Sequence, residues 1–131
     1  MKASYIFATF LLLTQTVCAQ QSGIRKIPDL VSATFKNAHP TIQKASWERE
    51  KSNFEVDFKN AQGKKMSLLI SPEGKIIETE IEIDFNELPK AAQNALKGKQ
   101  TKEICRITDF KGKITAQINF MGRSLSLHQK R

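Results

Sequence analysis

The spacing of apolar residues changes along the chain, and the first stretch has the period of a helix. In IPDLVSATFKNAHP, apolar side chains recur at Ile27, Val31 and Phe35. This spacing places one apolar stripe along a helix. Pro28 suits the first turn because its missing N–H would have no partner there, and Pro40 disfavours helical geometry just before it. The segment therefore predicts one amphipathic helix with defined ends.

After this helix the apolar period shortens to two, which is the spacing of a half-buried strand. Phe54, Val56 and Phe58 alternate with acidic residues, and further alternating runs follow the sequences NAQGK and SPEGK. Gly and Pro in these two sequences favour the backbone angles of tight turns. Together with a strand through Trp47, the pattern predicts a helix followed by four antiparallel strands.

The same order then begins again with the sequence LPKAAQNALKG. Pro28 and Pro89 stand at the starts of the two predicted helices, 61 residues apart, and Gly98 is placed to end the second helix. Three alternating runs follow before Arg131, so a fourth strand is missing from the second unit. The pattern therefore predicts a tandem repeat with an incomplete second copy.

One helix on four strands buries too little apolar area to be stable alone, whereas two copies can share one core. We therefore predict an α+β fold made of two tandem helix-plus-sheet units, about residues 25–84 and 85–131. The two units form one continuous antiparallel sheet of about seven strands, with both helices on one face.

Residues 1–19 have the pattern of a secretory signal peptide. Lys2 provides a basic start, an apolar run follows, and the sequence VCA ends at Ala19 as a small-x-small cleavage site. The apolar run is too short to cross a membrane, which takes about 20 residues. We predict cleavage after Ala19 rather than lipidation at Cys18. This leaves a single domain, residues 20–131, in the periplasm or outside the cell, with no transmembrane segment.

Positive charge is concentrated in the second half of the chain. The formal net charge is +8, and residues 88–131 carry ten Lys or Arg against two Asp or Glu. A basic half suits an anionic partner. We expect no nucleic acid, because the protein is exported and lacks aromatic residues interleaved with basic ones. Binding of anionic lipid or polymer in the envelope stays an alternative function. Its candidate residues are Lys97, Lys99, Lys102, Lys111 and Lys113.

Five carboxylates are predicted to share one face of the sheet. Glu78, Glu80 and Glu82 point to the same side of one strand, because the side-chain period of a strand is two. Glu55 and Asp57 lie on the polar side of a neighbouring strand. This face could bind a basic segment of a partner, or it could be the ordinary solvated face of an antiparallel sheet. Nothing in the sequence indicates the dry pocket that acid–base catalysis by paired carboxylates needs.

Cys105 is the single cysteine of the predicted mature chain. It could act as a nucleophile with His39 or His128, but the spacing matches no catalytic signature. A small buried residue is the commoner role of a lone cysteine. One cysteine and two isolated histidines are too few ligands for zinc. We therefore predict no catalysis, no metal and no cofactor. Trp47 fits either the core or a binding surface.

The ordered motifs resemble a known family. The run IPDLVSATFKNAHPTIQKASWE, followed by NFEVDF, GKKMSLLISPEGKIIETEIEI and LPKAAQNALKG, resembles the PepSY-like periplasmic proteins of the Bacteroidetes type, which are described as similar to the beta-lactamase inhibitor protein. The resemblance covers roughly residues 25–128. It implies an antiparallel sheet with helices on one face, in a periplasmic protein that is not an enzyme. The segment KGKQTKEICRI departs from the family pattern, because it lacks a proline after the second helix.

These features predict an exported, non-catalytic binding domain. We expect it to bind an envelope protein or peptide through the open sheet face. An inhibitory role follows only by analogy with the fold, and a fold does not determine a function. The sequence leaves the partner and the oligomeric state open.

Overall fold

The structure, a computed structural model, describes residues 26–121 and 123–128. These residues form two helices and seven strands in the predicted order, and the α+β prediction is confirmed. The predicted signal peptide lies outside the described residues. The elements are α1 (Asp29–Ala38), β1 (Ala45–Glu50), β2 (Asn53–Lys59), β3 (Lys65–Ile70), β4 (Ile76–Glu82), a 3-10 turn (Phe85–Glu87), α2 (Lys90–Leu96), β5 (Glu103–Asp109), β6 (Ile114–Phe120) and β7 (Arg123–His128).

All seven strands belong to one antiparallel sheet, in which strands adjacent in the chain are adjacent in space. Tight turns connect most pairs, whereas the link from β4 to β5 contains the 3-10 turn and α2. β4 and β5 pair directly, with Ile81 opposite Arg106, so the two halves are joined by backbone hydrogen bonds. The predicted continuous sheet is therefore confirmed. That the two halves are copies of one another stays a prediction.

Both helices cover the same face of the sheet, as predicted. The strand register shows this, because residues opposite one another on neighbouring strands point to the same face. One row runs across five strands through Phe58, Met66, Ile81, Arg106 and Ala116. The apolar residues under α1 and those under α2 lie in this row or in adjacent rows of the same face.

Each helix buries its apolar stripe in its own cluster. α1 inserts Val31 and Phe35 against β2 and β3, where Val56, Leu68 and Ile70 are buried. The residues buried around α2 form a second cluster on the same face: Ile83, Leu88, Leu96, Ile104 and Ile118. Two clusters on one sheet explain why neither half needs the disulfides that stabilise smaller exported domains.

Trp47 belongs to the helix-covered side of the sheet. Its ring packs edge-on against Phe35, with the centroids 5.6 Å apart. Phe35 also contacts Phe58, at a centroid distance of 5.2 Å. The half-buried indole therefore extends the core under α1 and does not lie on the open face.

The turn between β3 and β4 holds α1 in place. The Thr34 hydroxyl donates a hydrogen bond to the carbonyl oxygen of Gly74 at 2.8 Å. Gly74 has a φ of 76°, a region that L side chains rarely adopt. A Cβ at this position would lie 2.8 Å from Cγ of Leu30 and 2.9 Å from Oγ1 of Thr34. The close approach of helix and turn therefore requires glycine.

We predict that Gly74→Ala destabilises the protein more than Gly63→Ala does. Gly63 has the same φ of 76°, but a Cβ there would meet nothing within 4 Å. Backbone strain alone costs about 1–2 kcal/mol, which we expect for Gly63→Ala. Gly74→Ala adds the clash with α1, so its free energy of unfolding should fall by about 1 kcal/mol further. Urea denaturation of the two variants measures the difference. Equal losses would show that the helix–turn contact is not tight.

Candidate functional site

Among residues 26–121 and 123–128, no element covers the face opposite the helices, and this face carries all five predicted carboxylates. Strand alternation places Glu55 and Asp57 of β2 on this open face, together with Glu78, Glu80 and Glu82 of β4. β3 lies between the two strands and contributes Ser67 and Leu69 to the same face. The structure therefore brings the predicted residues together on one surface. Whether they bind a partner stays a prediction.

Part of the open face forms a wide concavity of about 990 Å³. Its lining includes the short side chains of Ser46, Ser67 and Cys105, which extend only a little above the strand backbone. Residues 41–44, which connect α1 to β1, border one side. The predicted carboxylates that line this concavity are Glu55, Asp57, Glu80 and Glu82; Glu78 lies on the same face outside it.

Two carboxylates of the concavity face each other across a gap. Asp57 lies directly opposite Ser67, and Ser67 lies directly opposite Glu80. Asp57 and Glu80 are therefore two strand spacings apart, about 10 Å between backbones. The small Ser67 hydroxymethyl group leaves room above it. A lysine or arginine side chain of a partner could enter this gap and contact both carboxylates.

Burial and mutual repulsion make several of these carboxylates hold their protons more tightly. Partial burial is the largest cause that raises the pKa of Glu55, and the neighbouring Asp57 raises it further. A hydrogen bond from Ser67 partly opposes this shift. Burial also raises the pKa of Asp57, followed by repulsion from Glu48 and Glu80. The face thus concentrates negative charge that its own residues do not neutralise fully.

The pKa of Glu78 is raised in the same way. Burial is the main cause, and repulsion from Glu80, Glu50 and Asp109 adds to it. Asp109 reaches Glu78 because β5 pairs with β4 at this point. The acidic surface therefore continues beyond the concavity, across the strand pair that joins the two halves of the sheet.

The sequence prediction missed several charged residues of this face. Glu48 lies directly opposite Glu55, and Glu103 borders the concavity. Lys65 forms an ion pair with Glu103 at 2.8 Å, and its backbone N–H donates to Glu82 at 3.2 Å. Strand alternation could have placed each residue on a face of its own strand. Only the register between strands shows which of them are neighbours.

The five lysines of the alternative function do not form one patch. Lys97, Lys99 and Lys102 lie between α2 and the start of β5, whereas Lys111 and Lys113 lie in the turn after β5. β5 has seven residues, which span about 24 Å. The lysines therefore form two groups at opposite ends of this strand. In the second group, the ammonium of Lys111 lies 5.4 Å from the ring centroid of exposed Phe110.

Cys105 is buried, as predicted, but it is not part of the core under the helices. Its side chain lies on the open face, 4% exposed, among acidic neighbours. Burial raises the pKa of the thiol strongly, and interactions with Glu80 and Glu103 raise it further. The position next to these carboxylates follows from the pairing of β5 with β4, which sequence periodicity does not predict.

The two histidines are not placed to activate this thiol. His39 lies on the helix-covered side, where its ring centroid is 4.5 Å from that of Phe58. Burial lowers the pKa of His39. His128 lies in the row of Thr115 and Ile107, not in the row of Cys105. Among residues 26–121 and 123–128, no three His, Cys, Asp or Glu side chains converge where a metal ion could sit.

Comparisons with known proteins show similarity in fold. No protein-family model and no curated protein sequence matches the chain. A DUF2874 family protein from Bacteroides uniformis superposes with a TM-score of 0.64 at 15% identity, over 79% of this chain and 83% of that one. A "putative periplasmic" protein from Bacteroides eggerthii gives 0.61 at 18% identity, over 72% and 73%. A BLIP-like protein from Bacteroides fragilis gives 0.57 at 16% identity, over 79% and 80%.

These similarities establish the class of fold. The chain has an α+β fold like that of the BLIP-like protein. The resemblance to PepSY-like proteins stays a prediction. In the part of the chain that the structure describes, no helix has the length and hydrophobicity to span a membrane.

We predict that the Cys105 thiol does not react with Ellman's reagent in the native protein at neutral pH. Burial and the adjacent carboxylates keep it protonated and shielded, and only the thiolate attacks the reagent. The thiol should react fully after denaturation. Cys105→Ser provides the blank in both measurements. Rapid labelling of the native protein, lost in Cys105→Ser, would contradict this prediction.

We predict that Glu55→Gln stabilises the protein at neutral pH. Because the pKa of Glu55 is raised in the folded state, its stabilising contribution is present at low pH and is lost as the pH rises through that pKa. Removing the charge should raise the free energy of unfolding by about 0.5 kcal/mol at pH 7, a value kept small by solvent screening. The gain should vanish near pH 3, where glutamate is protonated.

Urea denaturation at the two pH values tests this expectation. Glu73→Gln is the matched control, because a hydrogen bond from Ser71 lowers the pKa of Glu73. Its folded carboxylate is stabilised above the unfolded pKa, so that substitution should not stabilise the protein at pH 7. A loss of stability in Glu55→Gln at pH 7 would show that the acidic cluster costs nothing.

Proposed function

We propose that the protein is an exported, non-catalytic domain that binds a basic segment of an envelope protein or peptide on its open sheet face. The observation that carries this proposal is the row Asp57, Ser67 and Glu80, in which two carboxylates flank a small residue at the bottom of a concavity. A cationic side chain in this gap would gain charge-assisted hydrogen bonds from both sides. The proposed ligand group is therefore lysine or arginine on an extended or protruding segment.

The raised carboxyl pKa values support the same interpretation. Partial burial and mutual repulsion disfavour the charged forms of Glu55 and Asp57 in the free protein. A positive partner would relieve this repulsion, so binding and deprotonation should favour each other. Lys44, Lys59 and Lys65 also line the concavity, and Lys65 is already engaged with Glu103.

The export part of the proposal is supported by two separate observations. Residues 1–19 have the pattern of a signal peptide, and one of the similar structures has the name "putative periplasmic" protein. The name BLIP-like is given to another of them. We propose binding, and not inhibition of a particular enzyme, because the likeness concerns the fold alone.

A defined basic peptide tests the binding face. The probe is an acetylated ten-residue peptide of alternating lysine and threonine, measured by fluorescence anisotropy at pH 7 and low salt. The double variant Asp57→Asn, Glu80→Gln should bind it about tenfold more weakly, because two charge contacts are lost. The wild-type affinity should also fall as the pH is lowered through the carboxyl pKa values.

The control variant is Asp29→Asn, Glu73→Gln. It also removes one Asp and one Glu charge, but at positions away from the open face. It should keep the affinity of the wild type within about twofold. Equal weakening in the two double variants would mean that the peptide responds only to net charge. That result would contradict a binding site in the concavity, as would failure of the wild type to prefer this peptide over a glutamate–threonine peptide.

A further inference from the structure

β7 has the position in its hairpin that β3 has in the first half of the sheet. Phe58 lies opposite Met66 at the β2–β3 turn, and Phe120 lies opposite Arg123 at the β6–β7 turn. Counting two residues onward in each strand aligns Leu68 with Leu125. Both point to the helix-covered face. Their environments differ, because Leu68 is 1% exposed and Leu125 is 46% exposed.

The difference follows from what lies beyond each strand. The outer edge of β3 pairs with β4, which carries Ile81 on the helix-covered side and glutamates on the open face. In the described residues no strand pairs with the outer edge of β7. That edge presents unpaired backbone N–H and C=O groups, which are a ready template for another strand. α2 has seven residues where α1 has ten, so the cover above β7 is also shorter.

A groove of about 510 Å³ lies beside this edge. Its apolar lining comes from Phe120, Met121 and Leu125, and the charged side chains in the lining are Lys99 and Arg123. Gln100 and Ser124 complete the lining, which contains no acidic residue. The groove therefore combines exposed apolar surface with positive charge at β7, a strand whose outer edge has no partner among the described residues. This surface is separate from the acidic concavity.

We propose that the outer edge of β7 binds an extended acidic segment of a partner protein, which adds to the sheet as an eighth strand. Main-chain hydrogen bonds to β7 would supply affinity, and alternate side chains would supply specificity, as in other complexes formed by strand addition. Apolar side chains of the segment enter the groove against Leu125. Its carboxylates approach Lys99 and Arg123. Because side chains alternate along a strand, the segment that fits has an acidic residue two positions from an apolar one, so that both face the groove beside Arg123 and Leu125.

Charge favours this occupant over segments of the chain itself. Residues 1–25 and 129–131 contain no Asp or Glu and carry four Lys or Arg between them, so they offer no carboxylate to pair with Lys99 and Arg123. A second copy joined through its own β7 would bring two such basic edges together, because β7 also lacks acidic residues. An external acidic strand is the occupant whose charge complements Lys99 and Arg123.

The test uses an acetylated ten-residue peptide, TETITETITE, in which glutamate and isoleucine share one face of the strand; it carries a fluorophore and is titrated with the purified protein. The wild type should bind this peptide and should bind a version with its three glutamates replaced by lysine at least about tenfold more weakly. The double variant Lys99→Glu, Arg123→Glu should also weaken binding of the first peptide about tenfold or more.

Two controls locate the binding. Lys111→Glu, Lys113→Glu makes the same charge change at the far end of β5 and should leave the affinity within about twofold of the wild type. Asp57→Asn, Glu80→Gln alters the open face and should not weaken binding of this peptide. The result at β7 is therefore independent of whether the open face binds a basic segment. Pairing at the β1 edge would leave Lys99→Glu, Arg123→Glu at wild-type affinity and would overturn the proposal.

N-methylated peptides distinguish strand addition from binding in the groove alone. Alternate amides of an added strand point toward β7 and away from it. Two peptides methylated on complementary sets of amides should therefore differ, with one losing binding and the other retaining it. Equal affinity of both would overturn strand addition. Absence of binding to the unmodified peptide, or dimerisation of the protein through β7 that excludes the peptide, would overturn it as well.

Discussion

The structure depends on one face of the sheet to which all seven strands contribute apolar residues. Side chains of a strand alternate between faces, so every strand must keep its register for its apolar residues to meet those of its neighbours. The row of Phe58, Met66 and Ile81 shows this alignment. Two helices can then cover one surface, and each needs only a narrow apolar stripe. The pairing of β4 with β5 is the contact on which this arrangement rests, because it joins the clusters under α1 and α2 into one layer.

The same alternation determines the character of the open face. Once the apolar residues point toward the helices, the remaining positions of each strand point outward. In β2 and β4 these positions are largely acidic, and the intervening Ser67 separates Asp57 from Glu80. Partial burial, and then repulsion between these carboxylates, raises the pKa of Glu55, Asp57 and Glu78 and so disfavours their ionised forms in the free protein. A partner of opposite charge would stabilise the ionised carboxylates of this face, which is the basis of the proposed function.

The two edge strands of the sheet, β1 and β7, differ in how well their side chains are covered and in their charge. At the β1 end, Trp47 packs against α1 and the strand carries charges of both signs, Glu48 and Arg49 among them. Charged residues on an edge strand discourage pairing with other chains. β7 has no acidic residue, and Leu125 is largely exposed beside a basic groove. The molecule therefore presents an acidic face and a basic edge, and these are suited to partners of opposite charge.

Local pattern in the sequence predicted the elements and their order. Proline placed the starts of both helices, Gly98 with its positive φ lies just after the end of α2, and a period of two marked most of the strands. These features depend on a few adjacent residues, which is why they can be recognised without tertiary contacts. The α+β class and the single-faced core follow from the same periodicity.

Proximity across strands was decided only by the tertiary structure. Periodicity placed Glu55 and Glu80 on polar sides, but the pairing register decided that Cys105 lies among acidic residues and that Glu78 lies outside the concavity. A sequence states which face of a strand a residue occupies, because the period is local. Which residues become its neighbours depends on how distant segments pair, and that is settled when the whole sheet forms.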